Sequence, residues 1–298
     1  MTSTLLVSGA SGQFGQSVLN HLLDALRVEP QRIIATTRKP ESLAAFSKRG
    51  VTVRAADFDD VGRLPAAFAG AQRALLVSTD ALDRPGHRLA QHKAAIAAAA
   101  KAGVQHLVYT SMPEADKAIV MIAPDHAGTE AALAASSLPG WTVLRNHWYF
   151  ENLFMSLPAI LGNGGNWYHA NGEGKSANIA RDDLARAAAT VLAGSETGKS
   201  THTLSGGEAL GTAEQAALIS QVLGRPINVV PVPVAGLVQG MISAGLPEPV
   251  AQVLASFDAN TAAGHVGTVT GDYQRITGRA PQTFAAWLAA HKEQLQSR

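Results

Sequence analysis

The chain has 298 residues, 46% hydrophobic and 16% charged. That is enough apolar material for one large or two modest cores, and too little charge for a disordered chain. Lys plus Arg number 24 and Asp plus Glu 23, a net charge of +1, which gives no bulk attraction to nucleic acid or to an anionic membrane. Cysteine is absent, which excludes disulfides, thiolate metal sites and cysteine nucleophiles and fits a reducing compartment. The most apolar stretch, residues 94–100, is stopped by Lys101, far short of the roughly 20 residues of a membrane helix. No basic segment precedes the first apolar run, as a secretory signal would need. The expectation is a soluble, cytoplasmic protein.

Residues 4–8, 32–37, 51–55, 74–78, 106–110 and 141–144 are short and rich in Val, Ile and Leu, as strands covered on both faces are. Between them, residues 13–26 carry Val18, Leu19, Leu22, Leu23 and Leu26 on one helical stripe. A second helix, residues 88–102, stops at Gly103, a suitable left-handed C′ residue. The alternation predicts an α/β fold with a doubly wound parallel sheet over residues 1–145. Beyond Leu144 the rhythm changes to the aromatic cluster His147, Trp148, Tyr149 and Phe150 and the glycine-rich residues 162–165. Helices are predicted over 182–193, 213–223 and 283–291, with a strand over 227–232 and prolines interrupting the helical remainder. The division expected is an α/β domain over 1–145, joined by part of 177–206, and a smaller, mostly helical subdomain over 146–298.

Gly9-Ala-Ser11-Gly12-Gln13-Phe14-Gly15 follows the first strand and opens the first helix. In such a turn Gly9 permits the tight bend, Gly12 lets a pyrophosphate approach the backbone, and Gly15 lets helix pack on strand. Free amides of the first helical turn then face the phosphates along the helix dipole. A plain strand-to-helix turn is the alternative. The G-x-x-G-x-x-G spacing resembles the short-chain dehydrogenase/reductase superfamily, where Thr usually precedes the first glycine; here it is Ser8, able to hydrogen-bond within the turn.

The second strand ends Thr36-Thr37-Arg38-Lys39. An NAD enzyme places an acid here for the ribose 2′-OH. Arg38 offers instead a donor fork suited to a 2′-phosphate, and Lys39 adds charge. NADPH is therefore the expected cofactor, the alternative being two solvated bases. In the resembling family the corner Asp57-Phe58 lies beside adenine, where Asp57 can accept the amino hydrogen and Phe58 can pack on the ring. The competing reading is a helix-capping run with Asp59 and Asp60. Ser78 and Thr79 follow the fourth strand, at the crevice where strand order reverses.

Most short-chain dehydrogenases use Tyr-x-x-x-Lys as acid and proton relay. None occurs in this chain, which argues against a standard alcohol dehydrogenase or sugar epimerase. On the helix before the sixth strand, His126 and Glu130 occupy i and i+4 and can pair, as proton handlers or as a structural contact. No third ligand has the local spacing for a metal, so none is expected. Ser111 ends the fifth strand.

His126-x-x-x-Glu130, the run Leu144-Arg145-Asn146-x-Trp148-Tyr149-x-Glu151-Asn152 and Arg181-Asp182-Asp183-Leu184-Ala185 together resemble the NmrA-like atypical short-chain dehydrogenases. Within that Rossmann-fold family the likeness is greatest to bacterial type 2 NAD(P)H:quinone oxidoreductases and triphenylmethane reductases. The resemblance implies NADPH over the sheet, with Tyr149, Glu151 and Asn152 near the nicotinamide, Tyr149 and Asn152 being the candidate catalytic residues. It also implies that Lys175 reaches the cofactor cleft, and that His147 replaces a smaller residue beside the substrate pocket. Trp148 to Phe154 can equally form a seam between subdomains. The function implied is hydride transfer to a quinone or similar flat aromatic acceptor, with neither nucleic acid nor membrane as partner. A homodimer is compatible with the sequence. The alternatives are a non-catalytic NADP(H)-binding redox sensor and, ranked lower, an isoflavone-reductase-like enzyme.

Overall fold

The structure, a computed structural model, describes residues 3–297. Its sheet is built from runs whose alternate residues serve opposite layers. In β1 (Leu5–Val7), Leu5 and Val7 pack with α1 (Gln13–Asn20), whereas Leu6 enters the layer on the other face. In β2 (Ile33–Thr37), Ile33 and Ala35 divide from Ile34 in the same way. Side chains alternate across a strand, so a run apolar at every position suits only a sheet covered on both sides.

Along the chain follow α2 (Ala44–Lys48), β3 (Thr52–Ala55), α3 (Leu64–Phe68), β4 (Arg73–Leu76), α4 (His87–Lys101), β5 (His106–Ser111), α5 (Ala123–Ala134) and β6 (Gly140–Asn146). Then come α6 (Leu153–Gly162), β7 (Asn166–His169), β8 (Lys175–Ser176), α7 (Arg181–Ala193) and β9 (Lys199–Leu204). The chain ends with β10 (Leu210–Gly211), α8 (Thr212–Leu223), β11 (Asn228–Pro231), α9 (Val234–Ser243), α10 (Glu248–Ala262), α11 (Asp272–Thr277), α12 (Phe284–Ala290) and α13 (Lys292–Gln296). The main sheet has seven parallel strands in the order β3-β2-β1-β4-β5-β6-β9. It is the doubly wound α/β fold expected, and its order reverses between β1 and β4, where such sheets open a crevice at the strand tips.

Two departures from the sequence reading concern the sheet and its first helix. The first helix is α-helical only to Asn20 and continues as a π-helical turn, His21–Ala25. The wider turn keeps Leu22 and Leu23 buried but rotates Leu26 out of the apolar stripe, leaving it 40% exposed. The seventh strand, β9, has the polar sequence Lys-Ser-Thr-His-Thr-Leu and pairs residue by residue with β6.

After β6 the chain builds a separate apolar cluster in which Phe150, Leu157, Ile219, Trp287 and Leu288 meet. Beside it β7 pairs with β11, and β8 with β10. A smaller cluster joins Met112 and Val120, after β5, to Trp148 and to Phe257 of α10. Helix α10 also holds that segment by hydrogen bonds from the Ile119 amide to Asn260 Oδ1 (2.9 Å) and from the Met121 amide to Ser256 Oγ (3.1 Å). Among the described residues no helix is long and apolar enough to cross a membrane.

Candidate functional site

The glycines of the first turn are required by geometry. Gly9 has φ +58°, a conformation that side chains with a Cβ rarely adopt. A Cβ on Gly15 would lie 2.5 Å from the Gly9 carbonyl oxygen and 2.7 Å from the Ala10 Cα, so only glycine lets α1 start this close to β1. The Gly12 amide donates to the Gly9 carbonyl (3.0 Å), closing the bend. The amides of Gln13, Phe14 and Gly15 then have no hydrogen-bond partner among the described residues. Three unpaired donors at a helix N-terminus above a bare backbone fit the pyrophosphate of a dinucleotide. Ser11 Oγ lies 2.8 Å from Thr37 Oγ1, tying the turn to the tip of β2. Ser8 acts differently from the sequence reading: its Oγ accepts from the Val77 amide at 3.0 Å, across to the chain leaving β4.

Arg38 and Lys39 are exposed just beyond β2, and among the described residues Arg38 has no ion-pair partner. Asp57 Oδ1 accepts from the Asp59 amide at 3.0 Å, and Phe58 is half-buried against the α4 layer. Helix α3 begins at Leu64 with Arg63 at its N-cap, and the Asp60 carbonyl accepts from the Arg63 and Leu64 amides as the chain enters it. Asp59 instead faces His87, whose Nε2 lies 2.8 Å from Asp59 Oδ1 and whose Nδ1 lies 2.6 Å from Asp83 Oδ1. Those two hydrogen bonds, Asp83 first, raise the imidazole pKa above its ordinary value.

The segment after β4 is held by side chains. The Ser78 amide donates to Thr110 Oγ1 (2.8 Å) and the Thr79 amide to His92 Nε2 (3.0 Å). The Thr79 carbonyl accepts from Arg88 Nε at 2.6 Å. One face of α4, with Arg88 and His92 a turn apart, therefore takes both backbone groups of Thr79. Arg88 Nη2 also donates to His126 Nε2 (3.0 Å), leaving His126 Nδ1 to donate to the Tyr109 hydroxyl (2.9 Å). His92 Nδ1 donates to Thr129 Oγ1 at 2.9 Å. Burial, reinforced by Arg88, lowers the His92 pKa to about 3 and that of His126 well below its usual value, so both rings are neutral. Sequence reasoning missed this cluster. Its signal was an Arg and a His at i and i+4 in an otherwise alanine-rich helix.

The pairing of His126 with Glu130 does not occur. Near the start of α5, His126 turns to Arg88 and Tyr109. One turn on, Glu130 accepts from Arg145 Nη2 (2.6 Å), Arg145 Nε (3.1 Å) and Ser111 Oγ (2.5 Å) at the tips of β5 and β6. Each side chain finds a stronger partner on a neighbouring element than on its own helix.

The aromatic run divides. Trp148 packs edge-on against Phe257, with ring centroids 4.8 Å apart, while Phe150 and Phe154 pack on Trp287. Tyr149 turns the other way and lies parallel to Phe14 of the glycine-rich turn, centroids 6.5 Å apart and planes 7° from parallel. Burial pushes its phenol up to about 12, against the fields of Arg181 and Arg88 and a hydrogen bond with Asn146, so it is protonated at neutral pH. Glu151 Oε2 accepts the first amide of α7, from Arg181 (3.0 Å). Asn152 is exposed at the N-cap of α6. Lys175 is exposed and lies 3.2 Å from Glu214. His147 is fully buried; its amide donates to the Leu204 carbonyl, and burial lowers its ring pKa to about 4.

Sheet, crevice and glycine-rich turn together define a Rossmann-type nucleotide fold. The model of the NmrA-like family matches residues 1–270, and the chain belongs to that family. It is 33% identical to quinone oxidoreductase 2 of Escherichia coli over 281 residues, 94% of this chain and 96% of that protein. The crystal structure of the E. coli enzyme complexed with NADPH superposes with a TM-score of 0.90 at 32% identity, covering 96% of this chain and 99% of that one. The Citrobacter sp. triphenylmethane reductase, complexed with NADP(H), superposes with a TM-score of 0.86 at 30% identity over 96% of this chain and 99% of that one.

Proposed function

We propose that this chain is an NADPH-dependent reductase that passes a hydride to a quinone or a similar flat conjugated acceptor. The observation that carries the reading is the row of unpaired amides at Gln13, Phe14 and Gly15, with the unpaired guanidinium of Arg38 at the next strand tip. The near full-length similarity to E. coli quinone oxidoreductase 2 supports it.

When bound, the cofactor supplies the hydride. Gly9, Ser11, Gly12, Gln13, Phe14 and Gly15 form the pyrophosphate seat, Gly12 by its missing side chain and residues 13–15 by their amides. Arg38, aided by Lys39, takes the 2′-phosphate. Asp57 and Phe58 stand at the adenine edge, and Ser78 and Thr79 line the crevice. Tyr149 and Asn152 flank the reacting ring, Asn152 with a side chain able to both donate and accept. We assign Lys175 to the cleft as well, where it must exchange its Glu214 partner for the cofactor. A quinone that accepts hydride becomes a stabilised anion which water can protonate, so the protein's task is to hold two flat systems in reacting geometry. That removes the need for a strong protein acid and accords with a Tyr149 phenol raised to about 12.

The test is to mix purified protein, NADPH and a benzoquinone and follow the nicotinamide absorbance. The expected result is protein-dependent oxidation. Tight NADP(H) binding without turnover on any quinone or dye would overturn the reductase reading and favour a sensor.

A further inference from the structure

We propose that Arg88 sets the charge preference of the site, favouring acceptors that become anions on reduction over acceptors that arrive as cations. This rests on the reductase reading above. Arg88 is 5% exposed, and among the described residues its Nη1 has no hydrogen-bond partner and no carboxylate lies within ion-pair distance of it. Burying a charge without a partner is costly and is retained where the charge has work to do.

Arg73 shows what a structural buried arginine looks like here. Its Nε and Nη2 donate to the Leu192 and Val191 carbonyls at the end of α7, at 2.9 and 3.0 Å, and its Nη1 to the Glu196 carbonyl just beyond it, at 2.6 Å. Cations stabilise that end of a helix. Arg88 sits in the first turn of α4, the end where the helix dipole opposes a cation. The two effects add to one positive potential at the β4 tip.

Asp125 and Asp80 offset part of it, but among the described residues no carboxylate pairs with Arg88 directly. His92 and His126 are neutral, and burial keeps the Tyr109 phenol protonated. Asp125 and Asp80 act on Arg88 only from beyond ion-pair distance. The guanidinium holds Thr79, which lines the crevice, and its field reaches Tyr149. A substrate in that crevice displaces water, so the field acts with less screening.

Two acceptor classes respond with opposite sign. A neutral benzoquinone takes the hydride on oxygen as the nicotinamide C4–H bond breaks. The products are NADP⁺ and the hydroquinone monoanion, which then takes one proton from water. A triarylmethyl cation takes the hydride on its central carbon and becomes a neutral leuco compound. The first reaction creates negative charge in the field of Arg88, and the second brings a positive charge into it.

The test uses Arg88→Gln, which keeps a donor for the Thr79 carbonyl but removes the charge, and Arg88→Lys. The expected result is a fall of about tenfold in the ratio of benzoquinone to cationic-dye kcat/KM in Arg88→Gln, restored by Arg88→Lys. An equal loss for both acceptors overturns the proposal, because a structural role would move them together. A readout independent of turnover is the ionisation of 4-nitrophenol, followed by the phenolate absorbance, bound to the wild-type protein with NADPH, whose dihydronicotinamide ring is uncharged. Its pKa should fall below its value in free solution. Binding of the phenolate no tighter than its uncharged ether 4-nitroanisole overturns the proposal, even if Arg88→Gln does not fold. A wild-type protein that reduces neither acceptor but lowers the nitrophenol pKa would sink the reductase reading and leave the charge assignment standing.

Discussion

Arg145 and Glu130 meet in a two-pronged ion pair, with Nη2 to Oε2 at 2.6 Å and Nε to Oε1 at 3.1 Å. The hydrogen bond to Glu130, ahead of the opposing effect of burial, raises the Arg145 pKa further. Both side chains are mostly covered, at 25% and 16% exposure, so the pair is less screened than a surface bridge. It ties α5 to the tip of β6, and the Ser111 hydroxyl joins it from β5.

Glu130→Ala leaves the guanidinium and the Ser111 hydroxyl without their acceptor. The expected loss of stability is about 1.5–3 kcal/mol, the range for hydrogen bonds to charged groups. Urea unfolding followed by circular dichroism checks it. A midpoint unchanged from wild type would mean that the contact contributes nothing.

Acid stability follows from the buried histidines. Burial is the first cause of the lowered pKa of His92 (about 3), His106 (about 4), His147 (about 4) and His126. Each has a folded pKa below the unfolded value of roughly 6.5. The stability they allow is fully present above the unfolded pKa and is lost as pH falls from there toward the folded values. Each such proton contributes about 1.4 kcal/mol per pH unit. Urea midpoints should therefore be level from pH 7.5 to 7 and fall steeply between pH 6 and 4.5. A flat profile across that lower range would show that these rings titrate normally.

The sheet was legible where it is covered on both sides. Leu5 to Val7 and Ile33 to Ala35 announce themselves because every position must be apolar. The edge strand β9 was not legible as a strand, since exposure on its outer side permits Lys199, Thr201 and Thr203, and its place is fixed by pairing with β6. The glycine-rich turn was legible because its constraints are local: a positive φ at Gly9 and the lack of room at Gly15 act within seven residues.

The partners of His126 and Glu130 were not. Helical spacing shows that two side chains share a face, but whether they bond each other depends on what β5, β6 and α4 offer. The same holds for Ser8, whose hydroxyl serves the Val77 amide just beyond β4, 69 residues away. The aromatic run announced a crowded region, and only the packing shows Trp148 turned to Phe257 and Tyr149 to Phe14.

Calorimetric titration of wild-type protein and Arg38→Ala with NADPH and NADH tests the proposed seat for a 2′-phosphorylated dinucleotide. Wild type should prefer NADPH, and Arg38→Ala should weaken NADPH by roughly 10- to 100-fold, equivalent to about 1.5–3 kcal/mol for a charge-assisted contact, while NADH affinity hardly changes. Equal losses for both nucleotides, or no binding of either to the wild-type protein, would contradict it.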